Sequence, residues 1–161
     1  MASSSRNKGY LFDSLRQRWV VATPEEKVRQ GLIKMMTEKL LYPKELLSLE
    51  KTIAELPHLS HKKGDVFPQR RIDVVCFAKN IHSEHLLYPL LLIECKESEH
   101  HIAIAIDQVV GYNFYVQAYF LAVAYPDGIR FGVYDQKKKE YQFSSSLPSY
   151  TTLLQWVKGR G

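Results

Sequence analysis

The chain has 161 residues, of which 45% are apolar and 12% aromatic, and carries a formal net charge of +5. That length suits one domain with a sizeable core and leaves no room for an added motor, while this apolar content excludes a disordered chain. No uninterrupted apolar run of about 18 residues occurs and no charged start leads into an apolar signal core, which argues against membrane spanning and secretion.

Residues Met1 to Gly9 hold three consecutive serines with Arg6, Asn7, Lys8 and Gly9. Such a stretch has nothing to bury, so a mobile tail is expected over 1–9 and a single α/β domain over 10–161. Tyr10 to Val21 contains Leu11, Phe12, Leu15 and Trp19 without a clear period and fits either a short strand or a helix. Thr23-Pro24-Glu25-Glu26 offers a capping hydroxyl, a proline at the first helical position and acids at the positive end of the dipole. Apolar residues three and four apart then predict a helix to about Tyr42, stopped by Pro43.

A strand is predicted around Leu46 to Ile53, a polar loop from His58 to Gln69, and a strand from Arg71 to Ala78. After a polar hairpin, Lys79 to His85, comes the run Leu86 to Cys95, so continuously apolar that it reads as a central strand covered on both faces. Helical spacing spans Ile102 to Val116. An apolar strand follows at Ala118 to Ala124, closed by the turn Pro126-Asp127-Gly128, with Ile129 to Tyr134 as its hairpin partner. Leu153, Leu154, Trp156 and Val157 predict a terminal helix. The strand, helix, strand unit from Leu86 to Ala124 is a crossover, which makes its two strands parallel neighbours in a mixed sheet.

The two cysteines, Cys76 and Cys95, lie inside apolar runs and are expected as buried free thiols in a reducing, cytoplasmic setting. Positive charge bunches at Lys62-Lys63, Arg70-Arg71 and Lys137-Lys138-Lys139. A polyanion suits such a surface, although charge runs are often only solvated faces. The last run is expected at a hairpin turn. The histidine pairs His58/His61, His82/His85 and His100/His101 have no third ligand at zinc spacing and are expected to be solvated.

Chemistry concentrates at Glu94-Cys95-Lys96. Alternation along the strand puts Glu94 and Lys96 on one face, at the end of Leu90-Leu91-Leu92-Ile93. Charges there are costly unless paired, solvated or bound to a metal. Asp73 heads the preceding strand, whose pairing through the polar hairpin brings the two carboxylates together. Paired carboxylates suit magnesium, which can polarise a phosphate and generate hydroxide, with Lys96 steadying the attacking water or the developing charge.

Asp73, Glu94-x-Lys96 and Gln108 on the next helix together resemble the PD-(D/E)xK nuclease signature, with Ile72 where the motif has proline. The chain is most similar to the N-terminal nuclease domain of type I restriction enzyme R subunits. The likeness extends to the helix start Pro24-Glu25-Glu26-x-x-Arg29-Gln30 and to Gln108-x-x-x-Tyr112-Asn113, and so covers most of Pro24 to Gly128. It implies a restriction-endonuclease-like mixed β-sheet core flanked by helices, and a Mg²⁺-dependent nuclease acting on DNA, with Mn²⁺ as a substitute. Asp73 and Glu94 would bind the metal, Lys96 would aid the nucleophile and Gln108 would contact the phosphate or Lys96. An upstream acid would join the metal site, with Glu26 as the match and Glu25 or Glu50 as alternatives. Arg29 and Gln30 either brace the acids or face solvent, and Tyr112 and Asn113 are expected in helix packing.

Lys62, Lys63, Arg70 and Arg71 are the candidate phosphate contacts. The chain has no Gly-x-x-x-x-Gly-Lys-Ser/Thr loop, so it cannot drive ATP-dependent translocation and would act as a stand-alone nuclease or with separate motor or specificity proteins. Two alternatives stand beside this reading. One is a nuclease fold kept only for binding DNA or protein; the other is a homodimer formed through the tyrosine-rich helix Ile102 to Tyr119.

Overall fold

A computed structural model of the protein describes residues 8–60, 64 and 66–159. Most of the tail expected over 1–9, along with His61, Lys62 and Lys63, therefore lies outside the described residues. The segment whose period was ambiguous is an antiparallel hairpin, β1 (Tyr10–Asp13) and β2 (Arg18–Val21), with Phe12 opposite Trp19. Four-residue strands give too few alternations to read. Moreover, Tyr10, Phe12, Trp19 and Val21 on one face have no core to match.

Thr23 caps α1 (Pro24–Glu38) by accepting from the Glu26 N–H. The helix ends about a turn before the expected Tyr42. Leu41 enters the left-handed region at φ 57°, and the Tyr42 N–H reaches the Met36 carbonyl at 2.9 Å. Pro43 denies Tyr42 a helical conformation, so the chain has to leave the helix just ahead of it.

The main sheet has six strands in chain order: β3 (Leu47–Thr52), β4 (Arg71–Lys79), β5 (Leu87–Cys95), β6 (Phe120–Tyr125), β7 (Gly128–Asp135) and β8 (Glu140–Ser144). All neighbours are antiparallel except β5 and β6, which α2 (Ile102–Val116) joins as the expected parallel crossover. β8 was not foreseen. It is an edge strand of only five residues that begins just after the lysine-rich turn and shows a half-buried alternation. Its Phe143 lies opposite Gly132, where a Cβ would come within 2.7 Å of the ring, so only glycine fits at that position without displacing Phe143.

Two apolar layers sandwich the sheet. On one face Leu32, Ile33 and Met36 of α1, with Leu153 and Val157 of α3 (Tyr150–Lys158), pack on Val74, Leu91, Ile93 and Phe120. On the other, Ala105, Val109 and Val116 of α2 pack on Val75, Leu92 and Leu121. The third strand of six, β5, is thus covered on both sides, as its composition predicts. Cys76 and Cys95 are buried free thiols within it and its neighbour. The mixed sheet flanked by helices is the restriction-endonuclease-like architecture. Among the described residues no helix is long and apolar enough to cross a membrane.

Two side chains depart from solvated or passive expectations. His58 is buried, with Nε2 2.8 Å from the Val116 carbonyl and its ring edge-on to Tyr88 at 5.0 Å. His82 stacks on the same tyrosine at 4.4 Å. Loop composition hides the packing of His58 because Tyr88 and Val116 are distant from it in sequence. Asn113, as expected, is structural: its amide accepts from the Ala118 N–H at 2.7 Å and donates to the Ala118 carbonyl at 3.0 Å, which fixes the exit from α2 into β6. The tyrosines around α2 are largely used internally, Tyr112 being buried and the Tyr119 hydroxyl donating to the Ile81 carbonyl.

Because Leu92 is fully buried between β4 and α2, Leu92→Ala should cost roughly 2–5 kcal/mol of stability. A urea titration followed by circular dichroism would show this as a lower midpoint with an unchanged slope.

Candidate active site

The register of β4 and β5 positions the acids. Val74 pairs with Ile93, so one residue further towards the strand ends Asp73 comes opposite Glu94. The Asp73 Oδ2 accepts the Cys95 N–H at 2.8 Å, fastening the carboxylate across the strand pair. Glu94 is 5% exposed. Burial, and after it the charge of Asp73, push the Glu94 carboxyl up to about 9, against the opposing pull of Lys96. The protonated form of Glu94 is thereby favoured, and the two carboxyl groups lie close enough to share a hydrogen bond. Lys96 is half-buried and within electrostatic reach of Glu94.

Asp73 is held from its other side by Arg29, a buried residue of α1 whose guanidinium donates to Oδ1 at 2.8 Å. The same guanidinium donates to the Glu26 Oε2 at 2.6 Å and lies 3.5 Å from the Glu50 Oε1. Arg16, in the turn between β1 and β2, donates to Glu26 at 2.6 Å and to Glu50 at 2.6 Å, and also binds Asp13, which is wholly buried. Gln30 adds a further bond to the Glu26 Oε1 at 2.9 Å. Arg29 and Gln30 thus brace the acids. Two forked guanidinium groups bind four carboxylates, which is how these charges tolerate burial. Glu50 joins them from a strained backbone, at φ 53°, a conformation non-glycine residues rarely take.

The upstream acids therefore occupy a different position from the one expected of a metal ligand. Both Glu26 oxygens are taken by Arg16, Arg29 and Gln30, Glu50 is taken by the two arginines, and Glu25 faces solvent. Among the described residues no group of three or more His, Cys, Asp and Glu is arranged to hold a metal ion. What stands together is a pair, Asp73 and Glu94, with Lys96 beside it.

Gln108 of α2 has a buried Oε1 with no hydrogen-bond partner, and so has Glu94 at its own Oε1. Unsatisfied buried oxygens are expensive and call for a ligand, a water or an ion. Tyr112, one turn beyond Gln108 and expected only in packing, also feels the site. Burial and then Glu94 raise its phenol, and Arg70, with which it shares a hydrogen bond, opposes them. Arg70 is thereby attached to the site, whereas the exposed Arg71 lines a recess with Arg16, Arg18 and Lys51. Asp13 and Arg16 were missed entirely. Their only sequence signal was a buried-strand acid followed three residues later by an arginine, too common to notice. A wider apolar groove of about 810 Å³ between α1 and the β6–β7 turn shares no residue with the acidic site.

A mixed sheet carrying two acids and a lysine at the ends of adjoining strands is the arrangement of a nuclease-like domain. Residues 24–148 match the family described as type I restriction enzyme R protein N terminus (HSDR_N), and the chain belongs to that family. No curated protein and no solved structure matches it.

Two outcomes follow from the geometry. Arg29→Met would leave Glu26 and Asp73 without their shared cation and should destabilise the fold by roughly 3–5 kcal/mol, measured by urea unfolding; Arg29→Lys should rescue it poorly, since an ammonium cannot fork. The second outcome concerns pH. The folded state holds the Glu94 proton up to about 9 while the unfolded chain releases it near the ordinary 4.5. This group's contribution therefore favours folding at low pH and is lost as pH rises across that window, at no more than ~1.4 kcal/mol per unit. Glu94→Gln should flatten that slope in a series of urea midpoints.

Proposed function

We propose that the chain is a metal-dependent nuclease that hydrolyses DNA phosphodiesters at Asp73, Glu94 and Lys96. The observation that carries this reading is the Asp73–Glu94 pair, in which burial and the charge of Asp73 favour a proton on Glu94 even with Arg29 on Asp73 and Lys96 nearby. A small hard cation in place of that proton would relieve the repulsion. The oxygens fit: Glu94 has one without a partner, and each Asp73 oxygen keeps acceptor capacity beyond its single hydrogen bond. A third carboxylate is not required, since magnesium is often bound through one or two carboxylates plus water and substrate phosphate.

Asp73 and Glu94 would hold the magnesium, which would supply phosphate polarisation and a lowered pKa for water. The chain's own residues do the rest. Cys95 and Arg29 lock the orientation of Asp73. Lys96 donates towards the attacking water or the charge developing on phosphorus's oxygens. A bond forms from the water oxygen to phosphorus as the water gives a proton to solvent, the bond to one sugar oxygen breaks, and that oxygen takes up a proton from solvent and leaves as a hydroxyl. Arg70 and Arg71 stand where a phosphate backbone approaching the β4 strand would meet them. The family's name makes a DNA-bound assembly with partner subunits the natural setting. One observation favours the alternative of a binding module without catalysis: Arg29 already occupies the Asp73 Oδ1 and sets a positive charge beside the place of the cation.

Incubating the protein with plasmid and linear DNA in Mg²⁺ or Mn²⁺ tests the proposal. Cleavage should fall about 10²-fold or more in Asp73→Ala and Lys96→Ala, and cleavage unaffected by either substitution would overturn it. Calorimetry should detect Mg²⁺ binding that Glu94→Ala abolishes; an unaltered protein that binds no cation would favour the module.

A further inference from the structure

The apolar groove beside α1 belongs to no part of the acidic site. One wall is α1, through Val28, Leu32 and Met35; the other is built from Ala124 and Ile129 around the β6–β7 turn, with Leu147 after β8. Lys27 and Gly31 on the helix side and Gly128 and Ser146 on the other are exposed, so this is an open groove and not a closed cavity. Pro24, Val28, Gly31 and Met35 line it with the spacing of one helix face. At the rise of a helix that stripe runs for roughly 16 Å.

Glycine inside a helix costs stability relative to alanine, and it suits places where a side chain would collide or another backbone comes close. At Gly31 an added Cβ would meet nothing within 4 Å among the described residues, and the backbone is not left-handed. The fold therefore gives no reason for the missing side chain, whereas close approach by another molecule does. Among the described residues Lys27 is the one charged side chain lining the groove, and it enters no ion pair. The matching surface is apolar and carries an acid. A second copy meeting the protein through this groove would instead set Lys27 against Lys27, on chains of net charge +5. Small ligands are covered on most sides in their sites, whereas a helix laid in a groove buries one face only, which suits a channel open along its length.

We propose that the groove between α1 and the β6–β7 turn takes an acidic amphipathic helix of a partner protein, about three turns long. Its apolar side chains fill the space over Gly31, between Val28, Met35 and Ile129, and one of its carboxylates pairs with Lys27. It stands apart from the nuclease reading, since the groove shares no residue with Asp73, Glu94 or Lys96.

The probe is a fluorescein-labelled helical peptide of about four turns, with leucines three and four apart on one face and glutamates flanking them. Two matched peptides carry lysine for glutamate, or serine for leucine. Fluorescence anisotropy should show the acidic leucine peptide binding most tightly of the three. Gly31→Trp fills the groove from an exposed position and should weaken that binding about tenfold or more, with an unchanged circular dichroism spectrum. Lys27→Glu should reverse the order of the acidic and basic peptides. In the free protein Gly31→Ala should raise the urea midpoint; a lowered midpoint would mean that the fold itself needs the glycine, against the proposal. No binding of the acidic peptide, equal binding of its serine counterpart, affinity unchanged in both Gly31→Trp and Lys27→Glu, or a concentration-dependent dimer that Gly31→Trp dissolves would each overturn it. Lys96→Ala should bind the peptide as the unaltered protein does. Loss of DNA cleavage therefore counts against the nuclease reading alone, and loss of peptide binding against this one alone.

Discussion

The structure turns on a buried charge that cannot be left alone. Glu94 sits at the end of the most completely covered strand, and Asp73 is delivered beside it by antiparallel pairing. Burial, and after it the charge of Asp73, raise the Glu94 carboxyl, so a proton on it is favoured even though Arg29 binds Asp73. Everything nearby can be understood as a response to that constraint: the Cys95 amide on Asp73, Lys96 at the margin, and a guanidinium brought in from α1.

Arg29 carries this response outwards. By binding Asp73, Glu26 and Glu50 it joins the central strands to the first helix and the edge strand, and Arg16 extends the network to the hairpin. Removing water from so many charges is costly, and the forked geometry of two arginines is what makes the cost bearable. The same network explains why Glu50 tolerates a left-handed backbone and why Asp13 can be wholly buried. It also links the candidate reaction centre to the hairpin.

Much of the fold was legible along the chain. The helix Ile102–Val116 has the expected bounds, β5 is the covered strand its leucines announce, and the crossover between β5 and β6 is parallel. The pairing of Asp73 with Glu94 was legible too, because a polar hairpin between two apolar runs leaves one simple register. The short elements were not. β1, β2 and β8 have four or five residues, and their burial depends on neighbours rather than on their own pattern.

The long helices and the central strands were thus determined by sequence alone, because periodicity and capping act over a few residues and need no distant partner. Which acids remain open to a ligand was decided only by tertiary structure. Arg16 meets Glu50 across 34 residues and Arg29 meets Asp73 across 44. Glu26 looked like a ligand because it opens the first helix beside a family-like motif; it became a structural anchor because two arginines reached it. A carboxylate's role depends on what folding brings within three ångströms of it, and that is a property of the assembled chain.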